Sequence, residues 1–499
     1  MSGNAFSGAR PPRSAVIDLG SNSVRLVVFE GVARNPLTIF NEKATLRLGR
    51  GLDGTGRLNE DGVRQAVAVM TRFNAVARGM EAAPFEVLAT AAVRDASNGP
   101  AFVDSMRELL PGVPIRILSG EEEADYSAIG VLCGLPDADG VMADIGGGSL
   151  ELVRLENGGY AHGQTLKLGV IRLGDRAGGD PERARAIVED DLAPLDWLRD
   201  CSGRTLYLVG GAFRALARLQ IARTAYPLNI VHQFELDIEA AREMCAWMMS
   251  ASRRTLERLP GAPRRRLDDL PFAAIVLRRL LRRIQPARVV FCVDGLREGW
   301  YMRHVAPELR GADPLRAAAE EMGKRLGRLD SLPPALIDWT ATLFGAETPH
   351  DRRLREAACW MSDTGAYDHP EYRAEQVFLR VLRQPGMAFD HPTRAFLALT
   401  LAMRYEAEPD HEFLQPARRL LDPAGFRRAE VLGLALRLAY TVCAGIPELL
   451  DGIGLSVGVG NRLVLRCAAG RRAVTGDSVS RRLDRLALAL GLQAEIVEA

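Results

Sequence analysis

Two stretches of this chain end an apolar run with an acid and then turn in the same way. "AVIDLGSNSVRLVVFEG", Ala15–Gly31, closes its first half with Asp18 and bends through Gly, Ser, Asn and Ser. "DIGGGSLELVRLENG", starting at Asp144, repeats the pattern with Asp, Gly, Ser, Leu, Val and Glu in register. A tight Gly/Ser/Asn bend leaves backbone amides that can converge on an anion, and a hydroxyl beside them adds a donor. A carboxylate at the strand end next to such a nest can hold Mg²⁺, which prefers carboxylate and water oxygens and bridges phosphates. Either turn alone is explained by the small polar residues that any hairpin bend needs. The pair, in register, points to two related strand–turn–strand units clamping a phosphate group and its metal from opposite sides.

The rest of the chain must supply elements that carry these turns. At 499 residues it has room for roughly three domains. It is 47% hydrophobic and 25% charged with a net charge of +1, so charge balance suggests neither a nucleic-acid partner nor a membrane. The basic residues are nearly all Arg, with Lys only at 43, 167 and 324. Runs such as "RRR" at Arg264–Arg266 read as solvated faces. Seven scattered cysteines without a Cys-x-x-Cys pair imply neither a disulfide framework nor a zinc site, and point to a reducing, cytoplasmic setting. Residues 1–13 lack the apolar core of a signal peptide and read as a disordered tail. The apolar stretch "VLGLALRLAYTVCAGI" is too short for a membrane span and carries Arg437, so it reads as a buried helix.

Short apolar strands alternate with helical patterns through the first three hundred residues, which argues an α/β architecture. From about Gly311 the pattern turns helical, with breaks at Pro333–Pro334, Pro385 and Pro409. A hairpin with Gly-Asn at its turn ("LSVGVGNRLVLRCA"), a helix and a last strand follow. The expected division is a tail over 1–13, a first α/β domain over 14–135, a second over 136–308, and a mostly helical domain with a small β element over 309–499.

The two Asp-Gly loops resemble the phosphate loops of the actin, heat-shock chaperone and sugar-kinase ATPase superfamily. More narrowly, the chain resembles the exopolyphosphatase / guanosine pentaphosphate phosphohydrolase (Ppx/GppA) family. "ATAAVRDASN", "ILSGEEEADYS", "LYLVGGAFRALARL" and "VDGLREGW" match its further motifs in order, with Ala212 where a Thr is usual. The resemblance implies two actin-like (ribonuclease H-like) domains facing a cleft, with an HD-like helical C-terminal domain. It implies Glu123 as general base for a water attacking a terminal phosphorus. It places Asp144 and Glu151 at Mg²⁺, with Asp18, the repeat partner of Asp144, in the same metal shell. Asn22, Ser23, Gly146, Gly147, Gly148 and Ser149 then face phosphate, and Arg94 grips it bidentately. Arg297 and Glu298 read as a structural pair or cap.

The implied activity is Mg²⁺-dependent release of orthophosphate from the ends of inorganic polyphosphate. Guanosine pentaphosphate 5′-phosphohydrolysis is the alternative, since both cleave a terminal phosphoanhydride. An ATPase, or a non-enzymatic sensor of polyphosphate or nucleotide, are readings of other classes. A homodimer is implied by the resemblance alone. In the C-terminal region, "AACWMSDTGAYDHPEYR" puts Ser362-Asp363 where an HD domain has His-Asp, and His350-Asp351 falls before that helix. The expectation is that this domain holds no metal and extends a channel for a polyanion or builds a dimer contact.

Overall fold

The structure is a computed structural model that describes residues 11–385, 388–471 and 475–498. Most of the tail expected over 1–13 lies outside the described residues; Arg13 already begins a strand. The chain divides into two compact units, residues 1–311 and 312–499.

The first unit holds two sheets. One is built from β1 (Arg13–Leu19), β2 (Ser23–Glu30), β3 (Leu37–Thr45), β4 (Phe85–Ala89) and β5 (Ile115–Ile117), in the order β3-β2-β1-β4-β5. The other uses β6 (Gly140–Ile145), β7 (Leu150–Glu156), β8 (Gly159–Leu166), β9 (Thr205–Val209), β10 (Phe234–Asp237) and β11 (Arg288–Phe291), in the order β10-β11-β9-β6-β7-β8. Leaving out the edge strand β10, the orders are the same. In each sheet a meander of three antiparallel strands is followed by two parallel ones reached through helices. The central strands are nearly all apolar and buried, as expected where helices cover a sheet. Strands β3, β8 and β10 were not foreseen. The first two are the outer strands of their meanders and carry polar residues that blur the apolar signal.

The helix Gly120–Gly134 follows the first sheet in sequence and was counted with it. In space it packs against β7 and β8 of the second sheet and against the helix Leu296–Arg303. Its first turn is a capping box: the Ser119 hydroxyl accepts from the Glu122 amide, and the Glu122 carboxylate accepts from the Ser119 amide. Its contact with Leu296–Arg303 leaves no room for side chains. A Cβ on Gly299 would lie 1.8 Å from the Tyr126 carbonyl oxygen, and one on Gly130 would lie 2.1 Å from that of Gly295. The same second helix reaches back to the first half: buried Trp300 donates to Glu86 (2.7 Å), and the Tyr301 hydroxyl bridges the Ala33 amide and carbonyl. One short helix thus ties both sheets together.

In the second unit, "VLGLALRLAYTVCAGI" is indeed mostly the buried helix Pro423–Cys443. No helix among the described residues is long and apolar enough to cross a membrane. The expected break at Pro333–Pro334 falls between the helices Pro314–Leu326 and Leu332–Ala341, with both prolines in the first turn of the second, where no amide is needed. The hairpin is β12 (Ile453–Gly458) and β13 (Arg462–Cys467), turning through Gly460 and Asn461 with φ of 78° and 58°. The last strand, β14 (Gln493–Glu498), pairs parallel with β13. Ser362 bonds the Tyr440 hydroxyl (2.9 Å), and Asp363 accepts two bonds from the Arg328 guanidinium (2.9 Å each). Asp351 caps the helix Pro349–Met361 through Thr348.

Gly299→Ala should lower stability by about 1–3 kcal/mol or more through overpacking. Gly79→Ala, on an exposed helix end with nothing within 4 Å of its Cβ, should be neutral or stabilising. Denaturant midpoints of the two variants check this.

Candidate active site

Both Asp-Gly turns close with the same bond. The Gly20 amide donates to the Ser23 carbonyl (3.1 Å), and the Gly146 amide donates to that of Ser149 (2.9 Å). The turns meet each other. A Cβ on Gly147 would lie 3.1 Å from the Ser21 Cβ, and one on Gly148 would lie 2.6 Å from the Ser21 hydroxyl. A third turn joins them: Gly210, at φ 98°, follows β9, and a Cβ there would lie 2.3 Å from the Ile145 carbonyl and 2.8 Å from Asp144 Oδ1. Between the turns lies a cavity of about 140 Å³. Asp18, Asn22, Ser23, Glu123, Asp144, Gly146, Gly147, Gly148 and Ser149 line it.

The strand register arranges the charged groups in two rows. On the first sheet Asp18 pairs with Arg25, and Arg25 with Lys43, side by side on one face. On the second sheet the matching row is Asp144, Glu151 and Thr165. The fold repeats but its chemistry does not: the position that is Arg in one half is Glu in the other.

On the acidic side, Glu123 projects from the first turn of its helix, nine-tenths buried, and accepts from Arg94 Nη1 at 3.0 Å. Glu122 caps the helix and pairs with Arg116, and Glu121 is exposed, so one of the three acids faces the cleft. Burial raises the Glu123 carboxyl to about 7 against the pull of Arg94, with Asp144 and Asp18 adding to the rise. Burial, then Glu123 and Asp144, hold Glu151 well above the carboxylate range. Its Oε1 is buried with no hydrogen-bond partner. Asp144 Oδ2 accepts from Ser127 (2.6 Å), and burial raises its carboxyl. Burial also raises Asp18, opposed by Arg297 and Arg25. Asp18, Glu123 and Asp144 line the cavity, and Glu151, with its orphaned oxygen, lies behind it; their charges oppose one another, and carboxylate oxygens are the donor type that a hard divalent cation such as Mg²⁺ takes.

On the basic side the cavity is lined by Arg25, Lys43, Arg214, Arg266 and Arg297. Burial, then neighbouring guanidiniums, lower Arg25 and Arg214 to about 10. Lys43 still reaches solvent, yet crowding by the protein, then Arg266, Arg25 and Arg214, pull it down to about 7. Cations forced this close together are relieved by an anion between them.

Sequence reasoning missed this wall. Arg25 stands in the repeat where Glu151 does, two residues beyond the turn Ser; Lys43 is one of only three lysines; Arg214 and Arg297 lie inside quoted motifs. Arg266 belongs to the "RRR" run read as a solvated face, but its guanidinium lies over Gly211 and faces the cavity. Arg297 faces the cavity too, with its Nε 4.0 Å from Asp18, while Glu298 alone caps the helix through the Gly295 amide (2.9 Å). Arg94 is placed behind Glu123, bonded to it and to the Leu118 carbonyl, and does not itself line the cavity.

The family model of the Ppx/GppA phosphatases matches residues 27–308, more than half of the chain. The chain belongs to the Ppx/GppA phosphatase family. It is thus an enzyme of a phosphoanhydride-hydrolysing class. The model of the exopolyphosphatase C-terminal domain matches residues 315–497. A curated relative, exopolyphosphatase 2 of Mycobacterium tuberculosis, is 30% identical over 294 residues, which is 55% of this chain and 91% of that one. Among solved structures, an exopolyphosphatase from Cytophaga hutchinsonii is 24% identical with a TM-score of 0.54, covering 59% of this chain and 99% of that one. The Aquifex aeolicus Ppx/GppA protein is 22% identical with a TM-score of 0.51, over 59% and 97%. The likeness to these structures shows that the first unit has the Ppx/GppA fold, in which one sheet order is used twice.

The raised Glu123 carboxyl has a stability consequence. The folded protein holds that proton more tightly than the unfolded chain does. The favourable contribution is therefore present below about pH 4.5 and lost as pH rises toward 7. In chelator, the wild-type denaturant midpoint should fall between pH 5 and 7.5 by the equivalent of about 1–3 kcal/mol. Glu123→Gln should flatten that slope.

Proposed function

We propose that the chain is a Mg²⁺-dependent exopolyphosphatase, releasing orthophosphate from the ends of inorganic polyphosphate. The observation that carries this reading is the two-walled cavity, acidic on one side and basic on the other. Its volume of about 140 Å³ is well under the ~300–1,000 Å³ of pockets that enclose organic ligands. It suits a bare phosphate chain end better than an enclosed nucleoside.

Glu123 takes a proton from a water placed opposite the leaving phosphate. Arg94 positions Glu123 through their 3.0 Å bond and limits how far burial raises it. The free amides of the two turns, with the Ser23 and Ser149 hydroxyls, hold the terminal phosphate oxygens. Arg25, Lys43, Arg214, Arg266 and Arg297 neutralise the phosphates behind it. Asp144, Glu151 and Asp18 would hold Mg²⁺, which when bound neutralises charge developing on the phosphate oxygens. Guanosine pentaphosphate, its triphosphate end inserted and its base outside, is the alternative substrate. The seven cysteines, all buried and none in a disulfide, agree with a reducing cytoplasmic setting.

The deciding experiment offers long polyphosphate, guanosine pentaphosphate and ATP in parallel with Mg²⁺ and measures phosphate release. Fastest release from polyphosphate is expected, and preference for either nucleotide overturns the substrate assignment. Glu123→Gln should lose a hundred- to ten-thousand-fold in kcat while retaining polyphosphate binding. Asp144→Asn should raise the Mg²⁺ concentration needed for half-maximal rate. Lys43→Ala and Arg25→Ala should act mainly on KM, and polyphosphate affinity should drop steeply with salt.

A further inference from the structure

Behind the cavity wall, three side chains of different chemistry converge. His232 precedes β10, Cys292 follows β11, and Asp294 lies two residues further on. One ligand atom from each lies within 4.8 Å of the other two. His232 Nδ1 is 3.7 Å from Asp294 Oδ2 and 4.0 Å from Cys292 Sγ. All three residues are buried, at 4%, 0% and 6% exposure.

Each residue carries one atom able to ligate a cation at that point. The Gln233 side-chain amide lies 3.3 Å from His232 Nε2. The Val293 amide donates to His232 Nδ1 at 3.5 Å, the role of a ring nitrogen that carries a lone pair. Burial, then the neighbouring Asp294, push the Cys292 thiol well above its ordinary range, opposed by a bond from the Asp294 backbone amide. Asp294 Oδ2 is buried with no hydrogen-bond partner. A buried carboxylate oxygen left bare is costly.

We propose that His232, Cys292 and Asp294 form a binding site for a borderline-soft divalent cation of the Zn²⁺ class. The ligands are an imidazole nitrogen, a thiolate and a carboxylate, a set that suits Zn²⁺ and disfavours Mg²⁺. The site is separate from the all-oxygen set at the catalytic cavity. It joins the loop before β10 to the segment after β11, whose Val293 and Gly295 line that cavity. A bound ion therefore clamps one wall of the cleft from behind.

The test uses the full-length reduced protein, stripped of metal and titrated with Co²⁺ in saturating Mg²⁺, with slow equilibration because the ligands are buried. A thiolate-to-cobalt charge-transfer band saturating at one equivalent is expected, erased by Zn²⁺. Cys292→Ala should abolish it, while Cys245→Ala, an isolated buried thiol, should retain it. Asp294→Asn should weaken Co²⁺ binding at least tenfold, and serves as the independent variant if Cys292→Ala proves misfolded by circular dichroism. No thiolate band in the wild type, a band that survives Cys292→Ala, or unchanged affinity in Asp294→Asn overturns the proposal.

Discussion

The contact between the two Asp-Gly turns sets the terms for everything around it. A Cβ on Gly147 or Gly148 would crowd Ser21 across this contact, so the turns meet closely because small residues stand on both sides. Because each turn also ends the central strand of its own sheet, fixing the turns fixes the facing edges of both sheets. The helix Val170–Ala177 seals the arrangement: its first amides donate to the Gly146 and Gly147 carbonyls. The cleft is therefore narrow because backbone meets backbone, and the charged rows on either side inherit their spacing from that meeting.

Duplication explains the asymmetry as well as the symmetry. One strand–turn–strand unit used twice places six side chains at equivalent points. In the first half these are Asp18, Arg25 and Lys43, and in the second Asp144, Glu151 and Thr165. A phosphate chain needs cations along its length and a metal with a base at its reacting end. The repeated scaffold makes one row basic and the other acidic by changing the residue two beyond the turn, Arg25 in one half and Glu151 in the other.

Much of this was legible in the sequence because the repeat is local and in register. Asp18, Asp144 and the turn residues could be read from one alignment of the chain with itself. The prominence of Glu123 came from its motif; the structure adds that Glu122 is consumed by a cap and Glu121 by solvent. The basic wall was not legible because its members come from β2, β3, a helix start, a loop and a late helix. No sequence spacing connects Lys43 to Arg266 or Arg297. The strands β3 and β8 were hidden for a related reason: half their residues face polar surroundings or the cleft. The helix Gly120–Gly134 follows one sheet in sequence and packs on the other, which only three-dimensional contact reveals.

The short helix Leu296–Arg303 brings together features that look separate. Its Gly299 fits against one helix, its Trp300 and Tyr301 anchor in the first half, and its Arg297 points into the cavity. The side chain that reaches the cavity from this helix, Arg297, is therefore held in register with both sheets at once.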